Sequence, residues 1–119
     1  MQKEGFDLAE RTKRFALQII RLFSALPKTT EAQVIGKQML RSGTSVGANY
    51  REAYRGRSKA EFTAKCGDCL REIEETRYWL ELLEDANVVV PKELKTITQE
   101  CTELIAIFAT IVKRSKETP

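Results

Sequence analysis

Apolar and small side chains recur along most of the chain at alternating steps of four and three positions. Near the start, the repeat runs through Leu8, Thr12, Phe15, Ile19, Leu22 and Leu26. The same stagger continues over 35–53, 62–83 and 94–111. Such steps average about 3.5 residues, the spacing that holds one face of an α-helix against a partner with a left-handed twist. Four such segments predict an all-α fold: an antiparallel, up-down, left-handed four-helix bundle.

Local signals set the ends of these helices. We expect a single domain, 1–119, with helices at about 7–26, 31–55, 59–86 and 91–115. The predicted start signals are Asp7 with Glu10, the capping boxes Thr30 with Gln33 and Ser58 with Glu61, and Pro91 in a first turn. At the other ends, Pro27 closes the first helix, and Gly56 and Asn87 stand where a left-handed backbone is favoured. The valines at 88–90 are predicted to form a linker.

The second segment has smaller residues than the other three. Its repeat carries Ser42 and Asn49 where the others carry mostly large apolar groups, and Gly43 and Gly47 lie one turn apart. Small residues allow helix backbones to approach closely, and a buried Asn fixes the register of a bundle. We therefore expect tight packing with satisfied polar contacts. The alternative is that Ser42, Ser45 and Asn49 line a polar ligand site.

Composition agrees with a helical protein in aqueous solution. Hydrophobic residues make up 42% of the chain and charged residues 31%, with six Gly and three Pro. No apolar run approaches the ~20 residues that a membrane span requires. Because the opening segment MQKEGFD lacks a hydrophobic signal core, we expect a cytoplasmic protein with no membrane association.

The chain contains three cysteines and no histidine. Cys66 and Cys69 form a CxxC pair, but both lie on the predicted core face, and zinc needs four ligands. We therefore favour core packing over redox chemistry or metal binding. Since the commonest general base and metal ligand is missing, we expect no enzymatic activity, no catalytic residue, no cofactor and no small-molecule substrate.

Charge is unevenly distributed along the chain. Six cations and two anions lie within 41–65, whereas 66–86 holds seven anions and two cations. The net charge of +3 is therefore local, and it suggests a polyanion or an acidic protein surface as partner. Two complementary patches on one chain also produce head-to-tail contacts, which close into rings if the rotation permits. We expect part of the acidic helix to meet basic residues of a neighbouring subunit.

Basic and aromatic residues alternate around the end of the second helix. Arg51 and Arg55 share one face, and two tyrosines occupy the adjacent stripe. Arginine pairs with phosphate in bidentate fashion, and tyrosine stacks on unpaired bases. The candidate nucleic-acid-binding residues are Arg41, Tyr50, Arg51, Tyr54, Arg55, Arg57 and Lys59. The alternative is that Arg51–Arg57 pair with the acidic helix and the tyrosines pack between helices or subunits.

Several motifs resemble a known family. They are GKQ at 36–38, LRS at 40–42, TSVGANYREA at 44–53, RSKAEF at 57–62, Glu72, Glu75-Thr76 and YWLELL at 78–83. The chain is similar through them to the small four-helix-bundle proteins of the 23S ribosomal RNA intervening-sequence family, from about Phe15 to Phe108. It departs from many relatives at the CGDC segment 66–69, so the resemblance implies no role for those thiols.

The resemblance implies a left-handed up-down bundle that relatives assemble into a ring of five. It implies no enzymatic activity, and nucleic-acid association is the usual expectation. A similar bundle is the accessory partner of a reverse transcriptase in diversity-generating retroelements. We therefore expect a homopentamer that binds RNA or another nucleic acid through the basic patch. The alternative is a protein-interaction scaffold or an accessory subunit of a nucleic-acid enzyme such as a reverse transcriptase.

Overall fold

A computed structural model of the chain describes the backbone of residues 2–117 and the side chains of residues 7–117. Its helices are α1 (Gln2–Ala25), α2 (Thr30–Tyr54), α3 (Lys59–Asp85) and α4 (Pro91–Glu117). Short connections join them, and no strand occurs within residues 2–117. The predicted all-α class is therefore confirmed. The predicted domain 1–119 also includes Met1, Thr118 and Pro119, which lie outside the described residues.

The four helices pack side by side as a bundle. α2 packs against both α1 and α3, α3 packs against α4, and α1 meets α4 along the fourth side. Paired positions on α2 and α3 run in opposite directions, because Ser42 contacts Thr76 while Val46 contacts Cys69. The single chain measures 49 × 21 × 20 Å, as expected for four helices packed side by side along a common axis. This confirms the predicted four-helix bundle, and its left-handed twist stays a prediction.

The predicted repeats supply the core. Its fully buried side chains include Phe15 and Ile19 of α1, Met39 and Val46 of α2, Ile73, Leu80 and Leu83 of α3, and Leu94, Leu104 and Phe108 of α4. Burying one such side chain contributes roughly 1.5–3 kcal/mol, so the repeats carry most of the driving force for folding. Within residues 2–117, no helix has the length and apolar character that crossing a bilayer requires.

The first helix begins earlier than predicted. α1 starts at Gln2, so Asp7 lies inside the helix and the predicted cap by Asp7 with Glu10 is wrong. A single glycine, Gly5, costs about 1 kcal/mol in a helix and does not by itself stop one. The predicted end is confirmed, because α1 finishes at Ala25, shortly before Pro27.

The cap of α2 is shifted by one residue from its predicted position. Thr29 rather than Thr30 is the N-cap, and its hydroxyl accepts a hydrogen bond from the Ala32 backbone N–H at 3.3 Å. The Gln33 side chain donates instead to the Pro27 carbonyl at 2.9 Å. The predicted capping box is therefore wrong in its residues, since either threonine fits the pattern and only the chain path selects one.

The cap of α3 follows the prediction. The Ser58 hydroxyl accepts from the Glu61 backbone N–H at 3.1 Å, and the Glu61 carboxylate accepts from the Arg57 backbone N–H at 2.8 Å. These bonds satisfy backbone donors that a helix start leaves open. Pro91 also lies in the first turn of α4, as predicted.

Of the two predicted left-handed residues, only Asn87 is left-handed, with φ of 59°. The prediction for Gly56 is wrong, because no glycine in the described chain has a positive φ. Gly56 is required for space instead. Its N–H donates to the Ala53 carbonyl at 2.9 Å, and a Cβ at this position would lie 2.9 Å from the same oxygen.

The small residues of α2 produce close packing on two sides. A Cβ at Gly43 would lie 2.8 Å from Ile19 Cγ1 of α1, so the two backbones approach closely there. Towards α3, the Ser42 and Thr76 hydroxyls lie 2.7 Å apart in the buried interface. The expected tight packing is confirmed, and the polar pair across the helices is Ser42 with Thr76 rather than a bond from Asn49.

The proposed ligand site along α2 is not formed. Asn49 donates from Nδ2 to the Ser45 carbonyl of its own helix at 3.0 Å. The Ser45 hydroxyl donates to the Arg41 carbonyl at 2.6 Å, and Ser42 is buried against Thr76. All three polar side chains therefore have protein partners, and the interpretation as a ligand site is wrong.

Candidate nucleic-acid interface

Four of the predicted binding residues lie together at one end of the bundle. Arg51 and Arg55 occupy the last turn and C-cap of α2, Arg57 lies in the connection, and Lys59 begins α3. All four are exposed. We call residues 51–59 the basic corner. Because the connection is short, the charges of two helix ends are held close together.

Three arginines of the basic corner have no acidic partner among residues 7–117. No ion pair in this part of the chain involves Arg51, Arg55 or Arg57, and none of their guanidinium groups forms a hydrogen bond there. Nearby carboxylates are already engaged, since Glu52 pairs with Lys65 at 3.2 Å and Glu61 accepts from a backbone N–H. The alternative in which these arginines pair with the acidic helix is therefore not observed in the described chain.

Arg41 is separate from this corner. It lies in the middle of α2, about 15 Å along the helix from Arg51 at 1.5 Å per residue. Its guanidinium binds Glu72 and Glu75 of α3, at 3.3 Å for the Glu72 contact. This pairing was not predicted, because the alternative interpretation paired only the arginines of 51–57 with the acidic helix. Arg41 therefore joins α2 to α3 and is already occupied by two carboxylates.

The two tyrosines predicted to bind nucleic acid have different environments. Tyr50 is only 4% exposed, and its ring meets Phe108 of α4 edge-on with centroids 5.8 Å apart. Tyr54 is 45% exposed, with its ring 6.3 Å from that of Tyr50. The expectation that Tyr50 stacks on a base is wrong, because α4 covers its ring. Tyr54 remains as the aromatic surface of the corner.

A second polar feature lies on the side of the bundle between α2 and α3. The Trp79 indole N–H donates to Glu75 at 3.0 Å, so Arg41 and Trp79 share one carboxylate. Tyr78 packs edge-on against Trp79 with centroids 5.1 Å apart and is 52% exposed. We call Arg41, Glu72, Glu75, Tyr78 and Trp79 the side network. Sequence reasoning missed it, although the four-residue spacing of Glu75 and Trp79 was a usable signal.

The fourth side of the bundle is closed by an arginine. Arg11 of α1 binds Glu100 at 2.7 Å and Glu103 at 2.8 Å on α4. The hydrogen bond that the Arg11 guanidinium donates to Glu100 is the main cause that raises the Arg11 pKa above its usual range. This interaction was not predicted, because nothing in either segment indicates which helix it faces.

The cysteines lie in the core. The Cys69 thiol donates to the Val46 carbonyl at 3.4 Å, and the Cys101 thiol to the Ile73 carbonyl at 3.5 Å. Burial raises the pKa of Cys66 to about 11 and of Cys101 to about 12, and it raises the pKa of Cys69 as well. Neutral, buried thiols fit the packing interpretation. No cluster of side chains suited to a metal ion occurs within the described residues.

Comparison with known proteins identifies relatives over most of the bundle. The model of the family described as 23S rRNA-intervening sequence protein matches residues 4–110. A crystal structure of a protein with unknown function from the S23 ribosomal protein family of Bacteroides thetaiotaomicron VPI-5482 is similar, with a TM-score of 0.85 and 36% sequence identity. That match covers 92% of this chain and 97% of the other. Among curated proteins, none matches the chain.

Proposed function

This chain belongs to the 23S rRNA-intervening sequence protein family, and from that premise we propose that it is a non-enzymatic, cytoplasmic protein that binds RNA or another nucleic acid. The binding surface is the basic corner, and the working form is a ring-shaped homo-oligomer. A pentamer is the ring size that the family resemblance implies. Neither a cofactor nor a small-molecule substrate enters this proposal.

One observation carries the proposal: Arg51, Arg55 and Arg57 are exposed together and have no acidic partner among the described side chains. Guanidinium groups bind phosphate oxygens in a fixed, bidentate geometry. Phosphate contacts release counterions, so such binding is strong at low salt and depends little on sequence. The basic corner is positive because residues 51–59 hold four cations and one anion, Glu52, whose charge is balanced by Lys65.

Assembly into a ring increases the affinity that a basic corner of this size has for nucleic acid. Each subunit presents few phosphate contacts, but linked copies bind one polyanion with the gain that multivalency provides. The acidic surface for head-to-tail contact is α3. Arg41 uses two of its carboxylates within the subunit and Arg77 pairs with Glu81, whereas exposed Glu74 and Asp85 remain for a neighbour. Light scattering at low and high salt tests this: a monomer at micromolar concentration under both conditions would rule the ring out.

The binding test neutralises the corner. The triple variant R51Q/R55Q/R57Q should bind a 12-nucleotide single-stranded RNA at least about tenfold more weakly at 100 mM salt. The slope of log affinity against log salt should fall by about 2, since each single-strand phosphate contact contributes about 0.7. The matched control K28Q/K92Q/K95Q removes three exposed cations at the opposite end of the bundle. Equal affinities for the two variants would reject the basic corner as the binding surface.

The side network favours a second candidate function, an accessory subunit that docks onto a nucleic-acid enzyme such as a reverse transcriptase. Arginine, tryptophan and tyrosine dominate the energetics of protein interfaces. Here Glu75 holds Arg41 and Trp79 in place beside the exposed Tyr78 ring. Affinity capture from the source cell should then recover one stoichiometric protein, and Tyr78→Ala should release it. Loss of the partner on nuclease treatment would instead support the RNA-binding function.

A further inference from the structure

The C-terminal turn of α4 lies at the same end of the bundle as the basic corner. Phe108 of α4 meets Tyr50 of α2, and Cys101 meets Ile73, which fixes the alignment of α4 against its neighbours. Beyond Phe108, α4 continues to Glu117, or about 13 Å at 1.5 Å per residue. From Tyr50, α2 continues only to Tyr54 before the connection begins. The last turn of α4 therefore reaches the level of that connection.

This last turn is basic. Lys113, Arg114 and Lys116 are all exposed there. Among the residues whose side chains the structure describes, 7–9, 51–61 and 113–117 lie at this end and hold seven cations and four anions, whereas 24–32 and 84–95 at the opposite end hold three cations and four anions. We call the basic corner together with 113–116 the cationic end. Its charge is assembled from segments more than fifty residues apart, so no window of the sequence displays it.

The size of the cationic end limits how a nucleic acid can lie on it. The bundle is 21 × 20 Å in cross-section, so the α2–α3 connection and the last turn of α4 are at most about that far apart. One short segment of a strand is therefore long enough to contact both. Single-strand-binding surfaces commonly cover about 4–16 nucleotides per domain.

An exposed aromatic ring lies among the basic residues of the cationic end, where it favours single strands over duplexes. Tyr54 is 45% exposed and lies between Arg51 and Arg55 in the chain. The bases of a duplex are stacked inside it, whereas an unpaired base can stack on such a ring and gain about 1–3 kcal/mol. An end that combines phosphate contacts with a stacking surface is therefore better suited to unpaired RNA.

We propose that the cationic end is one composite site for single-stranded RNA, in which Tyr54 stacks on an unpaired base and Lys113, Arg114 and Lys116 complete the phosphate contacts of the basic corner. This inference rests on the proposed function. It adds the last turn of α4 to the binding surface, and it names single-stranded RNA as the substrate class. Cations in a last turn also compensate the negative end of a helix dipole. The deciding readout is therefore RNA affinity, which that structural role does not change.

The experiment compares K113Q/R114Q/K116Q with K28Q/K92Q/K95Q, which removes three cations at the opposite end, using the 12-nucleotide RNA. We expect the α4 variant to bind at least about fivefold more weakly, with a salt slope lower by about 2. We expect the control variant to stay within about twofold of the unchanged protein. If the two variants bind equally while R51Q/R55Q/R57Q loses affinity, the composite site is overturned and the proposed function stands. If none of the three loses affinity, the proposed function fails too.

The substrate class has its own test. Tyr54→Leu should weaken binding of the single strand by about 5–150-fold, the equivalent of 1–3 kcal/mol. The same variant should bind a duplex of that sequence as the unchanged protein does, and the unchanged protein should prefer the single strand. Equal affinity for both forms, or competition by polyglutamate at matched charge concentration, would overturn the assignment to single-stranded RNA.

Discussion

At Gly43, α2 lies so close to α1 that a methyl group would fall 2.8 Å from Ile19 Cγ1. About two turns further along the same helix, Arg51 and Arg55 are exposed and have no acidic partner in the described chain. At Gly43 the close packing of α1 allows only a residue without a side chain. At Arg51 and Arg55 the side chains face solvent, and no packing constraint acts on them. The middle of the bundle therefore supports stability, while Arg51 and Arg55 are exposed at the surface that we propose for nucleic acid.

The two regions meet at Tyr50 and Phe108. Their rings pack edge-on directly below the last turn of α2, and Phe108 is fully buried. This contact anchors α4 to α2 near the end of the core, and only Ala53, Ile111 and Val112 continue the apolar packing beyond it on these two helices. The packed middle thereby positions the charged residues at this end of the bundle.

The strongest test of this division is Phe108→Ala. Because the ring is fully buried, its loss should reduce the free energy of unfolding by about 3–5 kcal/mol. Urea denaturation followed by circular dichroism measures the change. Val34→Ala, at an exposed position of α2, is the control and should change stability by less than about 0.5 kcal/mol. Similar losses in both variants would mean that the core does not end where the structure places it.

Alkaline pH tests the burial of the thiols. Burial raises the pKa of Cys66 from 9.0 to about 11, so the folded state keeps the proton that the unfolded chain releases. The resulting stability is complete below about pH 8.5, and it is lost as the pH rises towards 11. We expect the free energy of unfolding to fall across this window. Cys66→Ala should reduce that slope by up to about 1.4 kcal/mol per pH unit.

A thiol reagent supplies the control for that experiment. At pH 8 the three cysteines should react only after unfolding, because the neutral thiol is a poor nucleophile and all three are buried. Rapid reaction of the native protein would show that the CxxC segment is accessible, contrary to the core packing described.

Two glycines of the bundle form a matched pair for the next prediction. Gly43→Ala should cost about 1–2 kcal/mol net, because the clash with Ile19 exceeds the helix propensity gained. At Gly67, nothing lies within 4 Å of an added Cβ, so Gly67→Ala should stabilise by about 0.5–1 kcal/mol. Denaturation midpoints compare the two. Stabilisation by both substitutions would show that α1 and α2 adjust easily, and that the middle is not closely packed.

The smallest expected effect concerns the cationic end. R51Q/R55Q/R57Q should change the free energy of unfolding by less than about 0.5 kcal/mol, because exposed charges without partners contribute little to stability. The same variant should lose RNA affinity, so stability and binding separate in a single protein. A loss of more than about 1 kcal/mol would show that these arginines support the fold and that the two regions are not distinct.

The repeat of apolar positions predicted the fold well, because a 3.5-residue period identifies helices and their core faces before any contact is known. Ser58 with Glu61, Pro27 and Asn87 were also predicted from local chemistry. The errors at Asp7, Thr30 and Gly56 share one cause. A local sequence pattern is compatible with several helix ends and cap conformations of similar energy. The path of the chain in the folded protein selects one of them.

The candidate site likewise has one part that the sequence predicted and another that only the structure revealed. The sequence by itself determined that cations concentrate near residues 51–59, since charge is a property of composition. Only the tertiary structure decided that Tyr50 is covered by Phe108, that Arg41 is held by α3, and that Lys113 and its neighbours join the basic corner. These outcomes depend on contacts between distant segments. Helix alignment sets such contacts, and no local window of residues encodes it.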